Sequence, residues 1–195
     1  RETVELAQRI DMDFRTVSFS STNALIDPKE LYLYDSYETY GFTKKNETDI
    51  HFELAREMGD NPDCLILTGF YPYILPEEAR RDIVEKVRDG AGLLLFGSAR
   101  EILRDFHAFA PNEVQMADWR PEGVPLDKLP GIASVIEQQR SVCSTFTCGR
   151  GRILAFHYNT GSKLGLTPVL DHEDPDILGY YDYYHSLIAE GVLWA

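Results

Sequence analysis

The sequence predicts an α/β fold with a mostly parallel sheet and antiparallel hairpins added in the C-terminal half. Three observations carry that expectation. Cys64 to Thr68 and Gly92 to Phe96 are short apolar runs with polar or glycine flanks, the pattern of strands buried on both faces. Between them Ala79, Ile83, Val84 and Val87 recur at spacings of three and four, which puts one apolar stripe on a helix. Two such strands joined by a helix form a right-handed βαβ unit with parallel strands. Further on, Ile132 to Ile136, Val142 to Thr147 and Arg152 to Tyr158 are β-prone runs separated by polar turns and by Gly149-Arg150-Gly151. Their close spacing predicts antiparallel hairpins, with the last strand rejoining the sheet.

Taken in order, Arg1 to Ile10 reads as a helix with Val4, Ala7 and Ile10 on one face and Leu6 beside it. Phe14 to Phe19 alternates as a strand does. Ser20 to Asn46 is a long polar connection holding Tyr32, Tyr34, Tyr37, Tyr40 and Phe42, and connections of that length are usually functional or pack on a neighbour. Thr48 or Asp49 can cap a helix that carries Ile50, Leu54 and Met58 on one stripe and ends at Gly59; His51 falls off the stripe and is expected to be solvated. In the central unit Pro76 suits the first helical position, Glu77 and Glu78 favour the positive end of the helix dipole, and Gly90 stops the helix. Glu77–Arg81 and Asp82–Lys86 are acid-before-base pairs four apart. Ala99 to Phe109 reads as a short helix, Pro111 to Pro130 as a loop punctuated by four prolines, and Asp171 to Asp176 as an acidic loop. A terminal helix carries Tyr184, Leu187, Ile188, Gly191 and Ala195 on one stripe.

The chain has 195 residues, enough for one α/β domain with a substantial core. A net charge of −13 and a pI near 4.7 argue against nucleic acid, whose phosphates need clustered Lys and Arg, and against an anionic membrane surface. Cys64, Cys143 and Cys148 lack paired metal-ligand spacing, and the last two lie too far apart along one strand to bridge. All three read as small apolar residues kept as thiols. The acidic loop has oxygen ligands but not the spacing of a calcium loop, so no metal and no cofactor is expected.

Two positions could carry chemistry. Leu95-Phe96-Gly97-Ser98-Ala99-Arg100 is a strand-to-helix turn, where a nucleophile is lifted above the strand ends and helix N–H groups can hold an oxyanion. Ser98 could be that nucleophile or a helix N-cap. His157 ends the last sheet strand in Ala155-Phe156-His157-Tyr158-Asn159, on the edge where open α/β sheets bind ligands; it could serve Ser98 as base with Asn159 orienting it, or be a hydrogen-bonded structural histidine. Tyr71, Tyr73 and Arg100 are candidate ligand contacts at the same strand ends. The Tyr180, Tyr181, Tyr183 and Tyr184 cluster, with Trp194 beyond it, could stack on sugar rings or fill an interface.

These residues resemble the class I glutamine amidotransferase-like superfamily. The likeness spans most of the chain: DCLILTGF as the strand before the oxyanion loop, GLLLFGSAR as the elbow, and AFHYN as the counterpart of a Phe-His-Pro-Glu motif. The resemblance implies a three-layer α/β/α, flavodoxin-like arrangement. Active members carry cysteine at the elbow, then histidine and glutamate late in the chain. Here Ser98 stands where the cysteine would be, Asn159 where the glutamate would be, and only His157 matches. The chain is also similar to degenerate members of this fold, such as the trimerisation domain of some β-galactosidases, through LPEEARRDIVEKVRDGAGLLLFG, GRGRILAFHYN and YYHSLIAEGVLWA.

The expectation is therefore a non-catalytic structural or interaction domain of a larger, carbohydrate-active protein, with neighbouring domains or subunits as partners and carbohydrate as a candidate ligand. The alternatives are a Ser98/His157 hydrolase and a sugar- or small-molecule-binding module at the strand ends. Because the fold's opening strand has no counterpart before the Arg1 to Ile10 helix, the chain is expected to be a segment of a longer polypeptide. Phe14 to Phe19 would then stand apart from Cys64 to Thr68 across a vacant position, or would otherwise move inward to pair with it.

Overall fold

The computed structural model describes residues 6, 9–15, 17, 20–21, 44–45, 47–59, 61–67, 75–96, 113–128, 142–157 and 175–195. Its elements are β1 (Ser20–Ser21), β2 (Lys44–Lys45), α1 (Glu47–Met58), β3 (Cys64–Leu67), α2 (Glu77–Asp89), β4 (Gly92–Leu95), β5 (Val114–Met116), a 3-10 turn (Leu126–Lys128), β6 (Cys143–Cys148), β7 (Gly151–Phe156) and α3 (Pro175–Trp194). Among the described residues the fold is α/β: the three helices α1 to α3 and a five-stranded mixed sheet in the order β3-β4-β7-β6-β5, with a separate parallel pair of β1 and β2.

The βαβ unit forms as expected. β3 and β4 run parallel with Cys64 opposite Gly92 and Leu67 opposite Leu95. β7 joins β4 in parallel, with Leu93 opposite Ile153, and turns back antiparallel into β6, whose outer neighbour is β5. The strands between others bury most completely: all four residues of β4 and five of the six in β7 are buried. β3 departs from the expectation of burial on both faces, since only Leu67 is buried and the other three residues are half-buried. Among the described residues β3 pairs with β4 alone, which leaves it less covered.

Side-chain alternation sends the sheet into two apolar clusters, one on each face. Leu93, Leu95, Ile153 and Ala155 join Ile83, Val84 and Val87 of α2 and Met58 of α1. Leu94, Leu154 and Phe156 join Leu187 and Ile188 of α3, together with Leu6 and Phe96. The predicted α2 stripe is the buried one, with Ala79, Ile83, Val84 and Val87 each at 1% exposure or less. Pro76 is the residue before the first turn and not the first helical residue: at ψ 151° it is extended, and its carbonyl accepts the Arg80 N–H at 3.0 Å. Gly90 ends α2 at φ +122°, where Gly90 N–H donates to Val87 O and Ala91 N–H to Lys86 O, both at 3.0 Å. That paired closure needs a left-handed residue, which glycine supplies without strain.

Other expectations need correction. The i,i+4 pairs on α2 give way to other partners: Arg81 meets Glu78 at 3.8 Å, Lys86 meets Asn61 Oδ1 at 2.6 Å, and Asp82 meets His51 at 3.2 Å. His51 is therefore a half-buried bridge from α1 to α2 and not a solvated residue. α1 starts at Glu47, so Thr48 and Asp49 sit inside its first turn instead of capping it. Of the expected Val4, Ala7 and Ile10 face, Val4 and Ala7 lie outside the described residues; Leu6, at 1% exposure, is in the core and half-buried Ile10 packs against the same cluster. Of the Phe14 to Phe19 run, Phe14, Arg15 and Val17 are described and none is in a strand, so among the described residues the alternative of direct pairing with β3 is not seen. Pro111 to Pro130 is not wholly loop, because Val114–Met116 pairs with β6, too short a strand for alternation to betray. Pro175 and Asp176 open α3 in place of closing an acidic loop. The Ile132 to Ile136 run, the Ala99 to Phe109 helix and the Tyr32 to Phe42 connection lie outside the described residues.

Candidate functional site

His157 stands at the carboxyl edge of the parallel strands, one residue beyond β7. The sequence reading carried β7 to Tyr158, but the strand ends at Phe156. The His157 N–H still continues the ladder, donating to Val142 O at 2.8 Å. Its half-buried ring is within hydrogen-bond reach of Ser144, with Nε2 at 2.6 Å from Oγ. The hairpin register explains the meeting. Ser144 lies opposite Ala155, so Ser144 and His157 are diagonal neighbours on one face of adjacent strands, a separation that an imidazole spans.

That register is set by the turn. Cys148 lies opposite Gly151, so the loop is the two residues Gly149 and Arg150, with Gly149 at φ +59°. A left-handed glycine at the first loop position belongs to the hairpin turns whose twist matches the flanking strands.

Next along β6, Cys143 turns to the other face among Leu94, Phe96 and Phe156. Burial pushes its thiol up to about 11, so it stays protonated near neutral pH. Cys64 is pushed up to about 12, chiefly by burial and then by the charge of Asp63. Cys148 is buried and also shifted up, by burial first and then by Glu113. None of the three is in a disulfide, and Cys143 and Cys148 sit at the two ends of β6 as the sequence implied.

At the opposite edge of the sheet Arg88 holds Glu113 through two hydrogen bonds, Nε to Oε1 and Nη2 to Oε2, the second at 2.8 Å. This pair ties the end of α2 to the start of β5. Trp194 lies near the same edge, with its ring centroid 5.6 Å from that of Trp119 and the Arg152 guanidinium 5.4 Å from its centre. Arg152 also donates to Trp194 O at 2.5 Å. The ring offered by the sequence as a stacking surface is thus engaged from within the chain.

Of the candidates expected at the strand ends, His157 is the one described. Ser98, Asn159, Tyr71, Tyr73 and Arg100 lie outside the described residues, as do the side chains of Tyr180, Tyr181 and Tyr184; Tyr183 is 38% exposed. Ser144 was missed. Its signal was available, since a hairpin closed by Gly149-Arg150 places it diagonal to His157.

No family model matches the chain, and no curated protein or solved structure is significantly similar to it.

Proposed function

We propose that this chain is an amidotransferase-like structural or interaction domain of a larger, carbohydrate-active protein, without amidotransferase catalysis of its own. In this reading the sheet is the centre of a three-layer, flavodoxin-like arrangement, and the partners are neighbouring domains or subunits, with carbohydrate as a candidate ligand. The observation that carries the proposal is the Ser144 Oγ–His157 Nε2 contact of 2.6 Å: the histidine of the AFHYN motif is held by a neighbouring strand of its own sheet. The departures of Ser98 and Asn159 from cysteine and glutamate support it, because a weak nucleophile needs an adjacent base that is itself oriented. Net charge of −13 is in keeping with protein or sugar partners over nucleic acid or anionic membrane. Incubation with glutamine and with activated esters tests the proposal. No turnover through Ser98 is expected; ammonia or alcohol release well above background that disappears in Ser98→Ala overturns it.

A further inference from the structure

We infer that Ser144 and His157 form a nucleophile–base pair able to take an acyl group from a small carboxylic ester that reaches the carboxyl edge of the sheet. The inference does not depend on the reading of the elbow, because Ser98 has no part in it. Two observations carry it. The first is the 2.6 Å contact between Ser144 Oγ and His157 Nε2, the geometry in which an imidazole removes a hydroxyl proton. The second is place. His157 follows the carboxyl end of β7, beside the end of β4, and open α/β sheets bind ligands at that edge.

The framework holding the pair is ordered on both sides. Ser144 is fixed by the β6–β7 ladder, and His157 by its N–H bond to Val142 O at 2.8 Å. Thr145, the next residue, is 5% exposed and donates from Oγ1 to Ala117 O at 2.5 Å, which fastens β6 from its other side. Ser144 and His157 are both half-buried, and partial burial strengthens the contact between them. In the reaction Ser144 Oγ attacks the acyl carbon while His157 Nε2 takes the hydroxyl proton. The acyl–oxygen bond breaks, and the alcohol leaves with the proton that His157 returns, so Ser144 carries the acyl ester. Cys143 is a poor competitor, since burial keeps it a thiol.

An alkyl fluorophosphonate probes the pair directly: Oγ attacks phosphorus, the P–F bond breaks, and the adduct stays on the residue that made it. The expected result on the whole chain is one adduct by intact mass, located by peptide mapping to Ser144. Ser144→Ala should lose the adduct. His157→Gln should slow labelling by about 100-fold or more, as loss of a general base does. Thermal melts of both variants report on folding, and the mapping of the wild-type adduct stands without them. Absence of an adduct, an adduct on any other residue including Ser98, or wild-type labelling rate in a folded His157→Gln overturns the inference.

Discussion

Replacing Gly151 by alanine is expected to destabilise the protein by about 3 kcal/mol, the upper end of what overpacking costs. A Cβ built at Gly151 would lie 2.1 Å from Val87 O and 2.5 Å from Ala91 O. Ordinary carbon–oxygen contacts are about 3.3 Å or longer, so about 1 Å must be found. Both obstructing atoms belong to the backbone, which cannot turn aside as a side chain can. The end of α2 is further anchored where Arg150 N–H donates to Arg88 O at 3.0 Å and where Ala91 N–H donates to Lys86 O. Relief therefore means lifting the last turn of α2 from β7, taking Val84 and Val87, both at 0% exposure, out of contact with the sheet. For a domain of this size 3 kcal/mol corresponds to about 6–12 °C in melting temperature. Thermal and urea melts of Gly151→Ala measure it, against Gln115→Ala on the exposed part of β5, which should stay within about 0.5 kcal/mol of wild type. If Gly151→Ala also stays within about 0.5 kcal/mol, the close approach of α2 to β7 is refuted.

Two further stability experiments address the sheet. Leu94→Ala should cost about 2–5 kcal/mol by urea melt, because Leu94 is fully buried between the sheet and α3; a loss below about 1 kcal/mol would place that helix elsewhere. The thiols give a signed pH dependence. Cys64 and Cys143 hold their protons to about 12 and about 11 when folded, against 9.0 ordinarily, so their contribution is complete below about pH 9 and is lost as pH rises through about 11 for Cys143 and about 12 for Cys64. The urea midpoint should fall less steeply above pH 9 in a Cys64→Ala, Cys143→Ala double variant than in wild type; equal slopes would show that these thiols are not buried.

The sequence by itself determined the elements whose pattern is local. The α2 stripe was legible from spacing alone, because a 3.6-residue period puts Ala79, Ile83, Val84 and Val87 on one side whatever they pack against. The apolar runs of β3 and β4 and the helix between them left a parallel pair as the arrangement. The Leu187, Ile188 and Gly191 face of α3 followed in the same way, and each of those residues is buried. His157 was placed at a strand end by its position after an apolar run. Only the tertiary structure decided which strands are neighbours, how far each is covered, and what meets His157. The last is a matter of register. Reading the turn as Gly149-Arg150-Gly151 in place of Gly149-Arg150 shifts the pairing of β6 and β7 by one residue, and a slip of one sends every side chain of a strand to the opposite face relative to its partner. With the two-residue turn Ser144 and His157 share a face. His51 shows the same limit, because helical period told only that it leaves the α1 stripe; its contact with Asp82 depends on how α1 lies against α2. Periodicity is written along the chain, whereas a meeting between two elements is settled by packing that joins residues far apart in sequence.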